Sequence, residues 1–284
     1  KISAKHTRDK LRITKSIQEI NHVNHSCKIA SSAITKAMNN SFPGMGEWEL
    51  QAIVEHHYKM NKSQPSYIPI IGGGDNSTIL HYKKNNSIIE DGSLVLVDAG
   101  CEIHGYASDI TRTWPINGTF TKEQKEIYSV VLKAQKAAIE VCQVGFEWKK
   151  MHETSVFHIS HGLLELGIID SNLDDIIGEN YDGRYRDFFM HGTGHLLGLD
   201  VHDVGGGRKG DNTPGPILQP GMIVTVEPGL YFSKWRSDVE IPDRYAGIGI
   251  RIEDDILITD NGPEIITKSC PKEIDDVENL IGIK

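Results

Sequence analysis

The chain has 284 residues, 38% hydrophobic and 24% charged, a size and composition that suit one large folded unit with its own core. Thirty Lys and Arg against 39 Asp and Glu give a formal net charge of −9, and the only basic cluster, in the first fifteen residues, is short and interrupted, so nucleic acid is not expected as a partner. No apolar run approaches the ~18 residues that span a bilayer, so no membrane partner is expected.

The four cysteines, Cys27, Cys101, Cys142 and Cys270, lack CxxC spacing. That argues against a disulfide framework or a thiolate metal cage and for a reducing compartment. The chain opens KISAKHTRDK, with neither an initiating Met nor the apolar core of a secretory signal, and removal of an upstream segment is expected.

In chain order, TKSIQEINHVNHSCKIASSAITKAMN comes first. Ile17, Ile20, Val23, Cys27, Ala30 and Ile34 recur there at three- and four-residue steps, the stripe of an amphipathic helix, and GEWELQAIVEHHYKMN reads the same way. The period then changes. SYIPIIGGGDNST and SLVLVDAG are short, rich in β-formers and closed by glycine, as strands are. Thr121, three residues before Gln124, predicts a capping box at the start of a long helix over TKEQKEIYSVVLKAQKAAIEVC, and SVFHISHGLLELGII predicts another. In the last third, GMIVTVEPGLYF and GIGIRIEDDILIT each predict a strand. IGGGDNST and GGGRKGDN lack the GxxxxGK[ST] spacing of a phosphate cradle and are read as tight loops at the rim of a site. With no repeat or low-complexity linker, residues 1–284 are expected to form a single α+β domain, helices on a largely antiparallel sheet.

The acids stand out within this frame. If Ile103 and His104 form the turn of a hairpin in SLVLVDAGCEIHGYASDITRTW, partner numbers sum to 207 and Asp98 falls opposite Asp109. Carboxylates that close repel unless a cation lies between them, and LVLVD is apolar enough to be buried, where an aspartate needs a partner. Glu227 ends the apolar run MIVTV. In GIGIRIEDD the period of two puts Gly249, Arg251 and Glu253 on one face and Ile248, Ile250 and Ile252 on the other. The segment HGTGHLLGLDVHD adds His191, His195 and His202. The first two are four apart, as in HExxH, but no glutamate follows the first and the intervening glycines disfavour a helix. One histidine with four carboxylates would make a hard, oxygen-dominated site suited to Mn2+-like ions more than to a structural zinc.

LVDAGCEIHGYASDITRTWP, MHGTGHLLGLDVHDVG, LQPGMIVTVEPGLY and GIGIRIEDDILIT resemble the metal-site motifs of the aminopeptidase P (Xaa-Pro aminopeptidase) family of pita-bread metallopeptidases. The resemblance runs from about Leu11 to the C-terminus. It implies a pita-bread α+β fold, a curved and largely antiparallel sheet covered by helices. It also implies that Asp98, Asp109, His195, Glu227 and Glu253 bind two divalent cations, Mn2+ first and Zn2+ or Co2+ as alternatives, with Asp109 and Glu253 bridging them. His81, His191, His202 and Arg251 fall where the family keeps its substrate-contacting side chains, and Tyr231 is a weaker candidate of the same kind.

The implied reaction is release of the first residue of a peptide with proline second, by attack of a hydroxide shared between the ions. Glu227 would shuttle the proton, and His202 or His81 would hydrogen-bond the oxyanion, with Arg251 beside them. Asp200 and Asp203 are expected to be structural, and Leu196, Leu197 and Leu199 to pack.

Three other readings share the scaffold. Prolidases, which cut Xaa-Pro dipeptides, have similar segments, and DVGGG leans toward them, whereas TRTWP, IPDRYAGIGIRIED and KEIDDVENL lean toward aminopeptidase P. A mitochondrial branch of the family trims precursor proteins, and the bacterial-type, cytoplasmic reading is preferred to that mitochondrial alternative. A non-catalytic pita-bread module is the reading of another class, and the intact set of five ligand types argues against it. Family chains carry an additional N-terminal domain that contributes to oligomer contacts. Its absence here implies a catalytic domain alone, any homo-oligomer depending on the absent part.

Overall fold

The computed structural model describes residues 4–205 and 215–281. Helix α1 (Ala4–Ile13) leads into α2 (Ile17–Asn39), whose start is fixed by a reciprocal cap. Ser16 Oγ accepts the Glu19 amide, and Glu19 Oε2 accepts the Ser16 amide at 2.8 Å. The stripe on α2 is buried at Val23, Cys27, Ala30 and Ile34, and α3 (Glu47–Met60) packs against α2. Ile17 departs from the stripe and is 78% exposed. Periodicity marks a face, but not how far the surface opposite it extends.

Six short strands follow: β1 (Gln64–Pro65), β2 (Ile70–Gly73), β3 (Leu94–Asp98), β4 (Cys101–Ile103), β5 (Tyr106–Ala107) and β6 (Thr111–Pro115). They form two antiparallel sheets, ordered β2-β3-β6 and β1-β4-β5. Every residue of β3 and β6 is buried, as strands covered on both faces must be. IGGGDNST is not a loop at the site. Ile71 to Gly73 belong to β2, Gly74–Thr78 is a 3-10 turn, and Gly73 and Gly74 line a cleft that shares no lining residue with the site described below. GGGRKGDN, apart from Gly205, lies outside the described residues.

The hairpin turns one residue later than the sequence suggested. His104 and Gly105 have φ of +52° and +81°, the left-handed pair that a two-residue type I′ turn requires. Ile103 therefore pairs with Tyr106 and Glu102 with Ala107, and the same register carries into β3 and β6. Asp98 consequently faces Thr111, not Asp109. Asp109 is two residues from Thr111, so the two carboxylates approach on the diagonal.

Helix α4 (Lys122–Glu140) opens with the expected capping box between Thr121 and Gln124 and packs on α5 (Lys149–Glu165), which begins well before the apolar SVFHIS stretch. A short α6 (Leu173–Ile177) follows. Each apolar stretch of the last third breaks into two strands, β7 (Ile223–Val226) and β8 (Gly229–Tyr231), then β9 (Gly249–Arg251) and β10 (Asp254–Thr259). The first break falls at Pro228, which has no amide to donate to a ladder. Strand β10 lies between β7 and β11 (Gly262–Ile265), β8 pairs with β9, and α7 (Ile274–Leu280) ends the described chain.

All the strand pairs are antiparallel, in short sheets rather than one unbroken one. Side chains bridge the gaps: Thr113 Oγ1 accepts the Arg251 amide at 3.3 Å, and Arg112 lies fully buried across the β6–β10 junction. The largest core lies among α2 to α5 and the strands β3, β6, β8 and β9, and a second one fills the space among α4, α5, β7 and β10. All four cysteines are buried and unpaired. Among the described residues no helix is long and apolar enough to cross a membrane.

Candidate metal centre

Strand ends deliver the acids. Asp98 closes β3, Asp109 precedes β6, Glu227 follows β7, and Glu253 lies between β9 and β10. His195 comes from an irregular segment that is nevertheless laddered to β7. The Glu227 amide donates to Thr193 O at 2.8 Å, the Thr225 amide to His195 O at 2.8 Å, and the Leu197 amide to Ile223 O at 3.0 Å. Gly194 makes this approach feasible, because a Cβ there would run into the Thr225 carbonyl. Gly194 of HGTGH therefore serves a close backbone contact beside β7, and the segment is not a helix.

The four acids and the histidine expected as ligands all line one cleft of about 340 Å3, together with His81, His191, His202 and Arg251. One donor atom each from Asp109, His195 and Glu253 lie within 4.8 Å of one another. His195 Nε2 is 3.3 Å from Asp109 Oδ2 and 3.7 Å from Glu227 Oε1. Asp98 joins through Tyr67, whose hydroxyl lies 2.5 Å from both Asp98 Oδ1 and Asp109 Oδ1. A single phenolic proton can serve only one of those oxygens at a time.

Arg251 frames the opposite side. It donates to Asp98 Oδ2 at 2.6 Å, to the Tyr231 hydroxyl at 2.9 Å and to Thr111 Oγ1 at 3.2 Å, and the Thr111 hydroxyl donates to Glu253 Oε2 at 2.6 Å.

The electrostatics show a site short of positive charge. Burial raises the carboxyl of Asp98, with Asp109 adding to it, and raises that of Glu253 well above the usual range, helped by Asp109 and Glu227. Burial likewise pushes Glu227 up to about 7, although His195 and Arg251 pull it back. Burial would lower His195, but the hydrogen bond to Asp109 and the charge of Glu227 raise it to about 9. Asp98, Glu227 and Glu253 thus draw protons to themselves, and His195 draws one to its imidazole, with Arg251 the one buried cation among the described residues lining the cleft. His195 Nδ1 is engaged by Leu196 O at 3.1 Å, which leaves Nε2 as the metal-facing nitrogen. This oxygen-rich donor set with one nitrogen fits a pair of divalent cations.

The other expected site residues separate by environment. His191 Nδ1 bonds Gly192 O and its Nε2 meets the Tyr231 hydroxyl, both at 2.8 Å; burial and Arg251 push it down to about 3, so the ring is neutral. His202 stands edge-on to His195 with ring centroids 4.3 Å apart, and His81 is exposed on the cleft wall. Tyr231 joins His191 to Arg251. Asp203 is buried in ion pairs with Arg12 and Lys15, and Asp200 pairs with Arg12 at the surface. Leu196 and Leu197 are buried, but Leu199 is 44% exposed and is no packing residue, since it sits in the turn beside that surface pair.

Sequence reasoning missed four participants. Tyr67 and Thr111 hold the acids, and nothing in QPSYIP marks the tyrosine. Asp255 is fully buried and accepts the Asp109 amide at 3.0 Å; three consecutive acids after an apolar strand were a signal that more than one of them is internal. His152 lies 3.0 Å from Thr193 Oγ1 behind the HGTGH segment, and burial pushes it down to about 4.

A buried cluster of carboxylates around one histidine, on strand ends of an α+β scaffold, defines a metal-binding class of site. The profile of metallopeptidase family M24 matches residues 21–260, and the chain belongs to that family. The Xaa-Pro aminopeptidase of Haemophilus influenzae is 44% identical over 272 residues, which cover 95% of this chain and 61% of that protein. The structure of Pseudomonas aeruginosa aminopeptidase PepP matches with a TM-score of 0.93 at 40% identity, covering 99% of this chain and 62% of that one. A variant of Escherichia coli aminopeptidase P in complex with substrate matches with a TM-score of 0.89 at 43% identity, over 95% of this chain and 60% of that one. The fold is that of the aminopeptidase P structures, and the chain spans about three fifths of the length of these relatives.

Proposed function

We propose that the chain acts as a metal-dependent aminopeptidase that releases the N-terminal residue from peptides with proline in second position. The observation that carries this reading is the convergence of Asp98, Asp109, His195, Glu227 and Glu253, from five separate segments, on one cleft. The similarity to proteins named Xaa-Pro aminopeptidase supports the specificity. We propose that those five side chains would hold two Mn2+ ions. The carboxylate-rich donor set supports Mn2+ over zinc. Such a pair, when bound, supplies Lewis-acid polarisation of the scissile carbonyl and acidification of the attacking water.

The chain's own residues supply the rest. Glu227, at the edge of the cleft, takes the proton released in the attack and returns it to the leaving nitrogen. His202 and His81 donate hydrogen bonds to the developing oxyanion. His191, neutral and fixed by Gly192 and Tyr231, presents an uncharged ring face, and with His81 and His202 it forms the wall against which the proline ring packs. Arg251 holds Asp98, Tyr231 and Thr111 at once and so sets their spacing. A cytoplasmic setting is part of the proposal, supported by four unpaired, buried thiols.

The test is a panel of peptides offered with and without Mn2+, with proline or alanine second, as dipeptides and as longer chains. Mn2+-dependent release of the first residue from the longer proline peptides is expected. Cleavage confined to Xaa-Pro dipeptides would replace the reading by a prolidase, and full metal loading without any hydrolysis would overturn it.

A further inference from the structure

Residues 196–201 connect His195 and His202, which meet in the cleft, and the segment from Leu196 to Asp203 closes into a loop on a single oxygen. The Asp203 amide donates to the Leu196 carbonyl at 2.8 Å, and His195 Nδ1 engages the same carbonyl at 3.1 Å. Closure of the loop and orientation of the His195 ring therefore share one acceptor. His202, the residue before the closing amide, stands against that ring.

Asp203 is held by residues from the start of the chain. Lys15 Nζ lies 3.1 Å from its Oδ2 and Arg12 Nη2 2.5 Å from its Oδ1, and the side chains of Lys15 and Asp203 are only 2% and 1% exposed. Arg12 extends the grip to Asp200 at 2.7 Å, and the Lys15 amide is tied to Gly221 O at 2.8 Å. Room for the clamp depends on Gly198, where a Cβ would strike Asp203 Oδ2 and come within 2.8 Å of Lys15 Cε. A buried ion pair of this kind adds little stability over an apolar replacement, because desolvation offsets the attraction. Its place, at the closure of the loop between two site histidines, gives it a positional use.

We infer that Lys15 and Arg12, neither of which lines the cleft, are positioning residues that act through Asp203 to seat His202 against His195. The catalytic part of the test rests on the aminopeptidase reading, whereas the structural part does not.

Residue-resolved amide hydrogen exchange gives the structural part. Lys15→Met is expected to speed exchange of the Asp203 amide at least about tenfold while Leu96 and Val97 in β3 keep their wild-type rates, and Lys15→Arg should restore most of the protection. An unchanged Asp203 amide overturns the inference. So does equal acceleration throughout β3, which would mean general destabilisation. Arg12→Gln, at the more exposed cation, is the milder variant should Lys15→Met fail to fold.

Kinetics give the catalytic part. Lys15→Met is expected to lower kcat on an Xaa-Pro peptide about tenfold with KM within about twofold, and to cost less than about twofold in a His202→Ala background. Equal losses in both backgrounds overturn the route through His202. A wild-type chain whose exchange behaves as expected but which cleaves no peptide defeats the aminopeptidase reading and leaves the clamp supported.

Discussion

Glu253 and Asp254 are neighbours in the chain and both almost fully buried, yet their carboxyls are held in opposite ways. Asp254 receives Arg112 Nη2 at 2.7 Å, Thr267 Oγ1 at 2.6 Å, Lys272 Nζ at 2.6 Å and Gln135 Nε2 at 2.8 Å. Against the effect of burial, the charges of Arg112 and Lys272 hold it well below the usual carboxylate range. Among the described residues Glu253 receives only the Thr111 hydroxyl from a side chain, and burial together with Asp109, Glu227 and Asp98 drives it well above that range. A buried acid supplied with the protein's own cations is a structural tie. One crowded by other acids is arranged for a cation from outside.

Four experiments break or sharpen this contrast. The largest effect is expected from Glu253→Ala or Asp109→Ala, which should abolish hydrolysis and loosen both metals. Turnover and metal content per chain measure this, and near-normal turnover would defeat the ligand assignment. On the other side of the contrast, Arg112→Met strands Asp254 without its main partner and should cost about 3–5 kcal/mol in urea unfolding, while the folded fraction still binds the full complement of Mn2+. Loss of metal binding in that variant would erase the distinction.

The third concerns pH in the metal-free chain. Asp98, Glu227 and Glu253 have raised carboxyls, so their contribution to stability is present below the unfolded pKa and lost as pH rises through the folded one. For Glu227 that window runs from 4.5 to about 7. His195 has the same sign between 6.5 and about 9. The depressed Asp254 behaves oppositely, its contribution lost only in strong acid. The gap in Tm between Mn2+-loaded and metal-free protein should therefore widen from pH 5.5 to pH 8, and a gap independent of pH would contradict the charge deficit. The smallest effect is expected from Tyr67→Phe, which should weaken Mn2+ binding about tenfold by calorimetry while leaving the fold intact.

Much of this was legible in the sequence, for specific physical reasons. The capping box at Thr121 and Gln124 is local chemistry, and LVLVD reads as a covered strand because all five residues are buried. The hairpin register was misread because nothing marks His104 as the residue that adopts positive φ. The error shifted partners by two positions, and a shift of two keeps every side chain on its face. Asp98 and Asp109 therefore still converged. What could not be read was which acid of the Glu253-Asp254-Asp255 run does what, because Arg112, Gln135 and Lys272 are distant in sequence and only the fold brings them to Asp254. Tyr67 and His152 escaped for the same reason, each being placed by tertiary contact alone.

The cysteines have a practical consequence. Cys27, Cys101, Cys142 and Cys270 are each at most 1% exposed and are spread from α2 to the segment before α7, with Cys27 Sγ only 3.2 Å from Asp255 Oδ2 beneath the cleft. Alkylating dyes should ignore the native molecule and label it only when it opens, so four reporters already present in the natural chain time the exposure of separate parts of the interior. The order in which they react, read by mass spectrometry, would show whether the floor of the cleft loosens before the rest of the protein or together with it.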